Sequence, residues 1–407
     1  MNKVELLAPA GSLTKLKYAI EYGADAVYIG GEEFSLRVAS QNFTLPEIKE
    51  GIEYAHKRGK KVYITANIIP HNDDLKEFPS FVREVSDLGA DAIIVSDLGM
   101  FSLVREVAPQ LDVHISTQAN NTNFESAKMW YKLGAKRVIL ARDLSFKEIE
   151  EIREKINPEE ELECFVHGAM CVSYSGRCLL SNYLTHRDAN KGACSHPCRW
   201  KYYLMEEKRP GEYMPVFEND RGTFLYNSKD LCMVEYIPQL IKAGINSFKI
   251  EGRVKNELYV ATVVGAYRRA IDAYYENPEG FTVSSDILED LEKVSHREYT
   301  TGFYFNKPNE NNQLYTSNTY IQDYTIVGVV KEYNKETGIA TVEQRNRFFK
   351  GDKIEIIRPN GKPFEFTADF MTDADDNEID VAPHPQMIVK LKPGNEVGEF
   401  AILRKKV

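Results

Sequence analysis

The chain reads as an α/β protein, a TIM-like (β/α)8 barrel followed by a small C-terminal all-β barrel domain. Three observations carry that expectation. An amphipathic stretch that stops at glycine before a short β-branched run recurs through the first 250 residues. Eight candidate strands can be counted there, most of them separated by helical stretches. After about residue 320 the texture changes to short runs broken by Asn and Gly.

Taken in order, the first strand is the run 5–8, and a helical stretch over 13–22 follows it. The repeated phrase then supplies Tyr22-Gly23-Ala24-Asp25-Ala26-Val27 and, more loosely, Gly59-Lys60-Lys61-Val62. It returns as Leu88-Gly89-Ala90-Asp91-Ala92-Ile93, Leu133-Gly134-Ala135-Lys136-Arg137-Val138 and Ala243-Gly244-Ile245-Asn246-Ser247-Phe248. Glycine at each junction can take the left-handed conformation that ends a helix before the buried strand begins. The runs 112–116 and 162–166 complete the eight. An open doubly wound sheet is the competing arrangement. The turn Pro9-Ala10-Gly11 is no dinucleotide fingerprint, because it offers one glycine where three are needed. The runs 325–331, 339–343, 352–357, 364–366, 378–381 and 399–403 predict the C-terminal β domain. The expected domains are a barrel over 1–305 with a cysteine-rich insertion around 168–232, a linker over 306–322, and a β domain over 323–407.

Composition sets limits on function. With 407 residues, 43% of them hydrophobic and 28% charged, the chain can bury a large core, which excludes disorder and collagen. No apolar run approaches the roughly 18 residues that span a bilayer, and the start Met1-Asn2-Lys3-Val4-Glu5 lacks a signal peptide's layout, so a cytoplasmic protein without a membrane partner is expected. A net charge of -10 argues against indiscriminate nucleic-acid binding but leaves room for a local basic patch.

In a barrel, chemistry sits where strands end at their C-terminal side. Those positions hold Asn67, Asp97, Gln118 with Asn120, Arg142, His167, and Glu251 with Arg253. Each taken singly could be an ordinary loop residue or helix cap. As a set they mark the candidate site.

All six cysteines lie between 164 and 232. Cys171, Cys178, Cys194 and Cys198 are spaced x6, x15 and x3, and turn-like residues surround the first two. Four thiolates can ligate zinc or an iron–sulfur cluster. Zinc sites usually show two tight pairs, and here only the second pair is tight, which favours a cluster while leaving zinc open. Cys164 alternates into a strand, and Cys232 stands in reserve.

The stretch Glu163-Cys164-Phe165-Val166-His167-Gly168-Ala169-Met170-Cys171, followed by Ser175-Gly176-Arg177-Cys178, resembles the signature of the collagenase-like peptidase family U32. Leu7-Ala8-Pro9-Ala10-Gly11, Asn227-Ser228-Lys229-Asp230-Leu231 and Lys249-Ile250-Glu251-Gly252-Arg253 extend the likeness over nearly the whole chain. Cys194-x3-Cys198-Arg199-Trp200 and the C-terminal domain are most similar to the branch of bacterial tRNA hydroxylation proteins.

That resemblance implies an enzyme converting the wobble uridine of tRNA to 5-hydroxyuridine, with prephenate as co-substrate in place of molecular oxygen. It implies a cluster, of the 4Fe-4S kind, on Cys171, Cys178, Cys194 and Cys198. Assembly with itself or with a related family member is also expected. Hydroxylation of ribosomal RNA or of a small molecule is the alternative. A peptidase is disfavoured, because the chain has no G-x-S-x-G elbow, no H-E-x-x-H and no D-T/S-G pair. A zinc-stabilised RNA-binding protein without catalysis is the remaining alternative. Prephenate's two carboxylates call for arginines, for which Arg142, Arg177 and Arg253 are candidates, with Asn67 and Gln118 beside them and Arg37 and Arg187 as weaker ones. His167, Glu251 and Asp97 are the candidate proton-transfer groups. Arg199, Trp200 and Lys201 interleave charge and aromatic surface suited to an anticodon loop, and Arg404-Lys405-Lys406 could add phosphate contacts.

Overall fold

The computed structural model describes residues 3–31, 34–35, 42–170, 179–187, 229–305, 320–359 and 361–407, with short pieces at 189, 194–195, 197, 218–219 and 222–223. Parallel strands β1 (Glu5–Pro9), β2 (Ala26–Gly30), β3 (Lys61–Ala66), β4 (Ala92–Val95), β5 (Asp112–Ile115), β6 (Arg137–Ile139) and β7 (Glu161–Ala169) pair in sequence order. A short strand β8 (Asp230–Cys232) runs antiparallel to the far end of β7. The strand β9 (Ser247–Ile250) pairs with both β7 and β1 and closes an eight-stranded barrel.

Helices α1 (Leu13–Glu21), α2 (Leu45–His56), α3 (Asp74–Asp87), α4 (Leu98–Val107), α5 (Phe124–Leu133) and α6 (Phe146–Lys155) alternate with the first seven strands. Their starts are written in the sequence. Thr44 with Glu47 and Ser145 with Glu148 form capping boxes, and Ser12 and Asn123 cap α1 and α5 through their side chains. Their ends are written too, since the repeated glycines Gly23, Gly89, Gly134 and Gly244 all take φ between 76° and 105°. A short α7 (Leu180–Thr185) and α8 (Ile237–Lys242) precede the 20-residue α9 (Glu257–Glu276) and then α10 (Ser285–Glu292). The strands carry wholly buried runs such as Ala26-Val27-Tyr28-Ile29-Gly30, which both the barrel interior and the helix layer cover. Burying each large aliphatic side chain here contributes about 1.5–3 kcal/mol.

The C-terminal domain is a seven-stranded antiparallel sheet built on Tyr324–Asn334, Ile339–Gln344, Lys353–Arg358, Gly361–Thr367, Met371–Thr372, Ile388–Leu391 and Ile402–Lys406. It has its own core around Val327, Val342, Phe348, Ile354 and Leu403. Val329, Ile357 and Ile402 instead join the barrel's core. The Tyr22 hydroxyl donates to the Phe400 carbonyl at 2.9 Å. Arg404, fully buried, pairs with Asp290 of α10 at 2.5 Å and with Glu355 at 2.6 Å. This corrects the expectation of phosphate contacts from Arg404: its charge is spent on the seam between the domains. Lys405 is held by Asp352 at 2.5 Å. No helix among the described residues is long and apolar enough to cross a membrane.

Candidate active site at the barrel mouth

The interior of the barrel is polar at both ends, and the two ends differ in how that polarity is met. At the floor, where the strands begin, Arg137 lies 2.6 Å from Glu5, 2.8 Å from Glu161 and 3.0 Å from Glu163. Lys249 meets the other oxygen of Glu163 at 2.8 Å, while Tyr63 and Ser247 donate to Glu5 at 2.7 and 2.9 Å. Burial works to raise the Glu5 carboxyl, but the Arg137 charge and these hydrogen bonds outweigh it and hold the group below its ordinary range. His114 packs edge-on to Tyr63, and burial with the neighbouring cations keeps it neutral.

At the mouth, Arg142 of the loop after β6 stacks its guanidinium 4.0 Å above the Phe165 ring. Its Nη1 donates to the Ala169 carbonyl at 2.7 Å, and its Nη2 stands 3.9 Å from Glu251. Arg253 is buried and donates to Ser35 at 2.7 Å and Thr65 at 3.0 Å. Two glycines make room for its segment. A Cβ at Gly11 would lie 2.1 Å from the Arg253 carbonyl oxygen, and one at Gly30 would lie 2.6 Å from its Nη1. The Pro9-Ala10-Gly11 turn is thus explained by close approach of two backbones.

Asn67 donates from Nδ2 to Ser116 Oγ at 3.2 Å, and the same oxygen accepts from the Gln118 amide at 3.2 Å. Asn67 Oδ1, Gln118 Oε1, Arg142 Nε and both polar atoms of the Asn121 side chain are buried without a hydrogen-bond partner among the described residues. Each such group costs about 1–3 kcal/mol unless something completes it. Their position at the C-terminal ends of the barrel strands makes that end the candidate ligand site.

The candidate proton-transfer groups fare differently. Glu251 lies beside Arg142, at the mouth. Asp97 caps α4, accepting from the Met100 amide at 3.0 Å. His167 is enclosed by Tyr259, Tyr267 and Tyr299, with ring centroids 5.4–6.1 Å away. Burial first, then the charges of His296 and Lys255, push its pKa down to about 3, so the imidazole is neutral near pH 7. Residue-by-residue reading missed Asn121, Phe165, Ser35, Thr65 and the Glu163–Lys249 pair. Glu163 and Lys249 were legible as lone charges inside apolar strand runs.

Of the proposed cluster ligands, Cys194 is half-buried, and its neighbour Ser195 is bound through backbone and side chain to Ser181 of α7 at 3.0 Å. Cys171, Cys178, Cys198, Arg37, Arg177, Arg199, Trp200 and Lys201 lie outside the described residues. Among the described residues no three His, Cys, Asp or Glu side chains are grouped to hold a metal. The remaining thiols bear on the donor set. Burial pushes Cys164 up to about 12 and Cys232 up to about 11, and each touches a tyrosine hydroxyl. Iron–sulfur clusters and zinc take thiolates. Burial therefore disfavours the thiolate form at Cys164 and at the reserve candidate Cys232. Arg187 is exposed beyond α7.

Peptidase family U32 matches residues 11–314, and the Peptidase family U32 C-terminal domain matches residues 322–404. The chain is 43% identical over 404 residues to tRNA hydroxylation protein P1 of Bacillus subtilis, covering 99% of this chain and 95% of that one. It is 40% identical over 424 residues to tRNA hydroxylation protein P of Escherichia coli, covering 94% and 92%. It is 35% identical over 308 residues to a 23S rRNA 5-hydroxycytidine synthase of Escherichia coli, covering 74% of this chain and 45% of that one. The chain belongs to peptidase family U32, with that family's C-terminal domain following its barrel.

Proposed function

We propose that this chain is a tRNA-modifying enzyme that hydroxylates carbon 5 of the wobble uridine, with prephenate as co-substrate and an iron–sulfur cluster as cofactor. The observation that carries the proposal is the full-length similarity to proteins named for tRNA hydroxylation, joined to a barrel mouth whose buried polar groups await a ligand. Cys171, Cys178, Cys194 and Cys198 would hold the cluster, which supplies redox chemistry when bound.

The chain's own residues do the rest. Arg142 and Arg253 suit the two carboxylates of prephenate, since guanidinium groups bind carboxylates through paired hydrogen bonds. The stack on Phe165 fixes the plane of Arg142 before any ligand arrives. Glu251 stands where it can hold or accept a proton beside Arg142. His167 is neutral and walled by tyrosines, so we assign it a positioning role under the β7 end, and Asp97 is assigned to helix capping. The wobble base already lies in a loop, so little unstacking is required to bring it to the mouth. Arg199, Trp200 and Lys201 are the proposed RNA contacts. Such chemistry belongs in the cytoplasm, and pairing with a related family member is compatible with it.

The test is to delete the gene in a host without a redundant enzyme and weigh the tRNA nucleosides. Loss of 5-hydroxyuridine, restored by the wild-type chain and not by Cys171→Ala, supports the reading, and its persistence would end it. Anaerobic purification should yield a brown protein with iron and sulfide. A colourless zinc protein would point to a non-catalytic RNA-binding role.

A further inference from the structure

We propose that the cleft between α9 and the C-terminal domain is a second binding site, for a phosphate group. It shares no residue with the barrel mouth and does not rest on the hydroxylase reading.

The cleft, about 370 Å³ in volume, follows from how the two domains meet. One wall is a single face of α9, where Ala261, Thr262, Gly265, Arg268, Arg269 and Asp272 recur at helical spacing. The opposite wall is the turn of the hairpin that joins Lys353–Arg358 to Gly361–Thr367. Ala261 and Gly265 put little bulk between the walls, and a Cβ at Gly265 would already lie 3.3 Å from the Tyr22 ring. The seam is held by Arg404 on Asp290 and Glu355 and by Tyr22 on Phe400, contacts that leave the space between these walls unfilled.

The charges and donors of the cleft select its ligand. Four cations line it, Arg268, Arg269, Arg358 and Lys362, against two carboxylates, Asp272 and Asp290. Each carboxylate is already met by two cations. Asp290 pairs with Arg269 and Arg404, both at 2.5 Å, and Asp272 with Lys3 at 2.5 Å and Arg268 at 2.8 Å. Arg268 and Arg269 also reach Asp25 and Asp286. Arg358 and Lys362 have no carboxylate within ion-pair distance among the described residues. Arg358 is fixed before any ligand arrives: its Nη1 donates to the Glu396 carbonyl at 2.5 Å, and its guanidinium lies 5.1 Å from the centre of the Phe364 ring. Gly361 clears room for it, since a Cβ there would lie 2.6 Å from the Arg358 Nε. Arg268 Nε, Arg358 Nε and the hydroxyl of the buried Thr262 have no hydrogen-bond partner among the described residues. Guanidinium nitrogens only donate, and a hydroxyl can donate. An oxyanion only accepts, so a phosphate meets both the open donors and the unpaired charge. A metal cation meets neither, and a neutral carbonyl meets only the donors. In a chain of net charge -10 the patch is local, suited to a single phosphate group and not to a long nucleic-acid track.

The experiment titrates inorganic phosphate into the full-length, anaerobically purified protein by calorimetry, with chloride at matched ionic strength as the control. Lys362→Gln and Arg358→Gln should each weaken binding by about tenfold, and Thr262→Val by about fivefold. Arg142→Gln, at the mouth, should leave the affinity unchanged. Should Arg358→Gln fail to fold, the exposed Lys362 decides. An unmodified tRNA transcript, read by fluorescence anisotropy, identifies the source of the phosphate. Weaker RNA binding by Lys362→Gln, with the salt slope reduced by about one, makes it the RNA backbone. Unchanged RNA binding with phosphate binding lost makes it a free phosphorylated small molecule, and either result upholds the site. No phosphate binding by the wild type, wild-type affinity in the folded cleft variants, or loss in Arg142→Gln alone overturns the proposal. A chain that forms no 5-hydroxyuridine yet binds phosphate here would end only the hydroxylase reading.

Discussion

The floor and the mouth of this barrel treat buried polarity differently: the floor pairs its charged groups and leaves His114 Nδ1 without a partner, whereas the mouth leaves several amide and guanidinium atoms open. At the floor, Arg137 and Lys249 meet Glu5, Glu161 and Glu163, with Tyr63 and Ser247 filling in. At the mouth, Asn67, Gln118, Asn121 and Arg142 each keep at least one buried group unmet. A satisfied network rigidifies the scaffold. An unsatisfied one stores binding capacity at a cost in stability.

The largest effect should come from breaking the floor. Arg137→Ala removes the cation that Glu5, Glu161 and Glu163 share and leaves the largely buried Glu5 with hydroxyl donors only, and should cost about 3–5 kcal/mol, read as a shift in the urea midpoint. At the mouth the balance should reverse. Arg142→Gln loses one backbone hydrogen bond and a ring stack, worth about 1 kcal/mol of stability, while hydroxylation of tRNA should fall about a hundredfold. A mouth variant as destabilised as the floor variant would erase the contrast.

Acid should sharpen it further. His167 and His114 are neutral in the fold because burial lowers their pKa from the ordinary 6.5, to about 3 for His167. The unfolded chain binds those protons first. Stability is therefore complete above about pH 6.5 and declines as pH falls below it, by about 1.4 kcal/mol per unit for each histidine. Melting curves of wild type and His167→Gln between pH 7.5 and pH 5 should diverge, the variant losing less. The smallest effect is the most diagnostic. Gln118→Ala removes an unpartnered buried oxygen, so stability without ligand should stay within about 0.5 kcal/mol or rise slightly, whereas Asn67→Ala also loses its hydrogen bond to Ser116 and should cost about 1 kcal/mol. A loss of 2 kcal/mol or more would mean that these side chains are structural.

Much of the fold was legible because its signals are local. The repeated helix-Gly-strand phrase depends on glycine adopting positive φ, and Gly23, Gly89, Gly134 and Gly244 all do so. The strand Ile388–Leu391 went unread although its alternate residues are buried, because two prolines and a lysine obscured the run. The antiparallel β8 was hidden in a stretch whose three residues make sense only against β7 on one side and Tyr299–Thr300 on the other. Arg253 and Arg142 were placed by counting to strand ends. Their partners Ser35, Thr65 and Phe165 were not, since no spacing relates residues 218 or 188 positions apart in the chain.

The amino-acid order set the periodicities, the caps, the helix-ending glycines and the cysteine spacing, all of which act over a few neighbours along the chain. Closing β9 onto β1 settled which charges are paired and which are left open. Arg404 could be read as a free cation until the sheet folded it under α10, and Asn121 as a loop residue until β6 buried it. Pairing and burial are properties of residues distant in sequence and adjacent in space, so the difference between a stabilising floor and a ligand-ready mouth emerges only when the barrel closes.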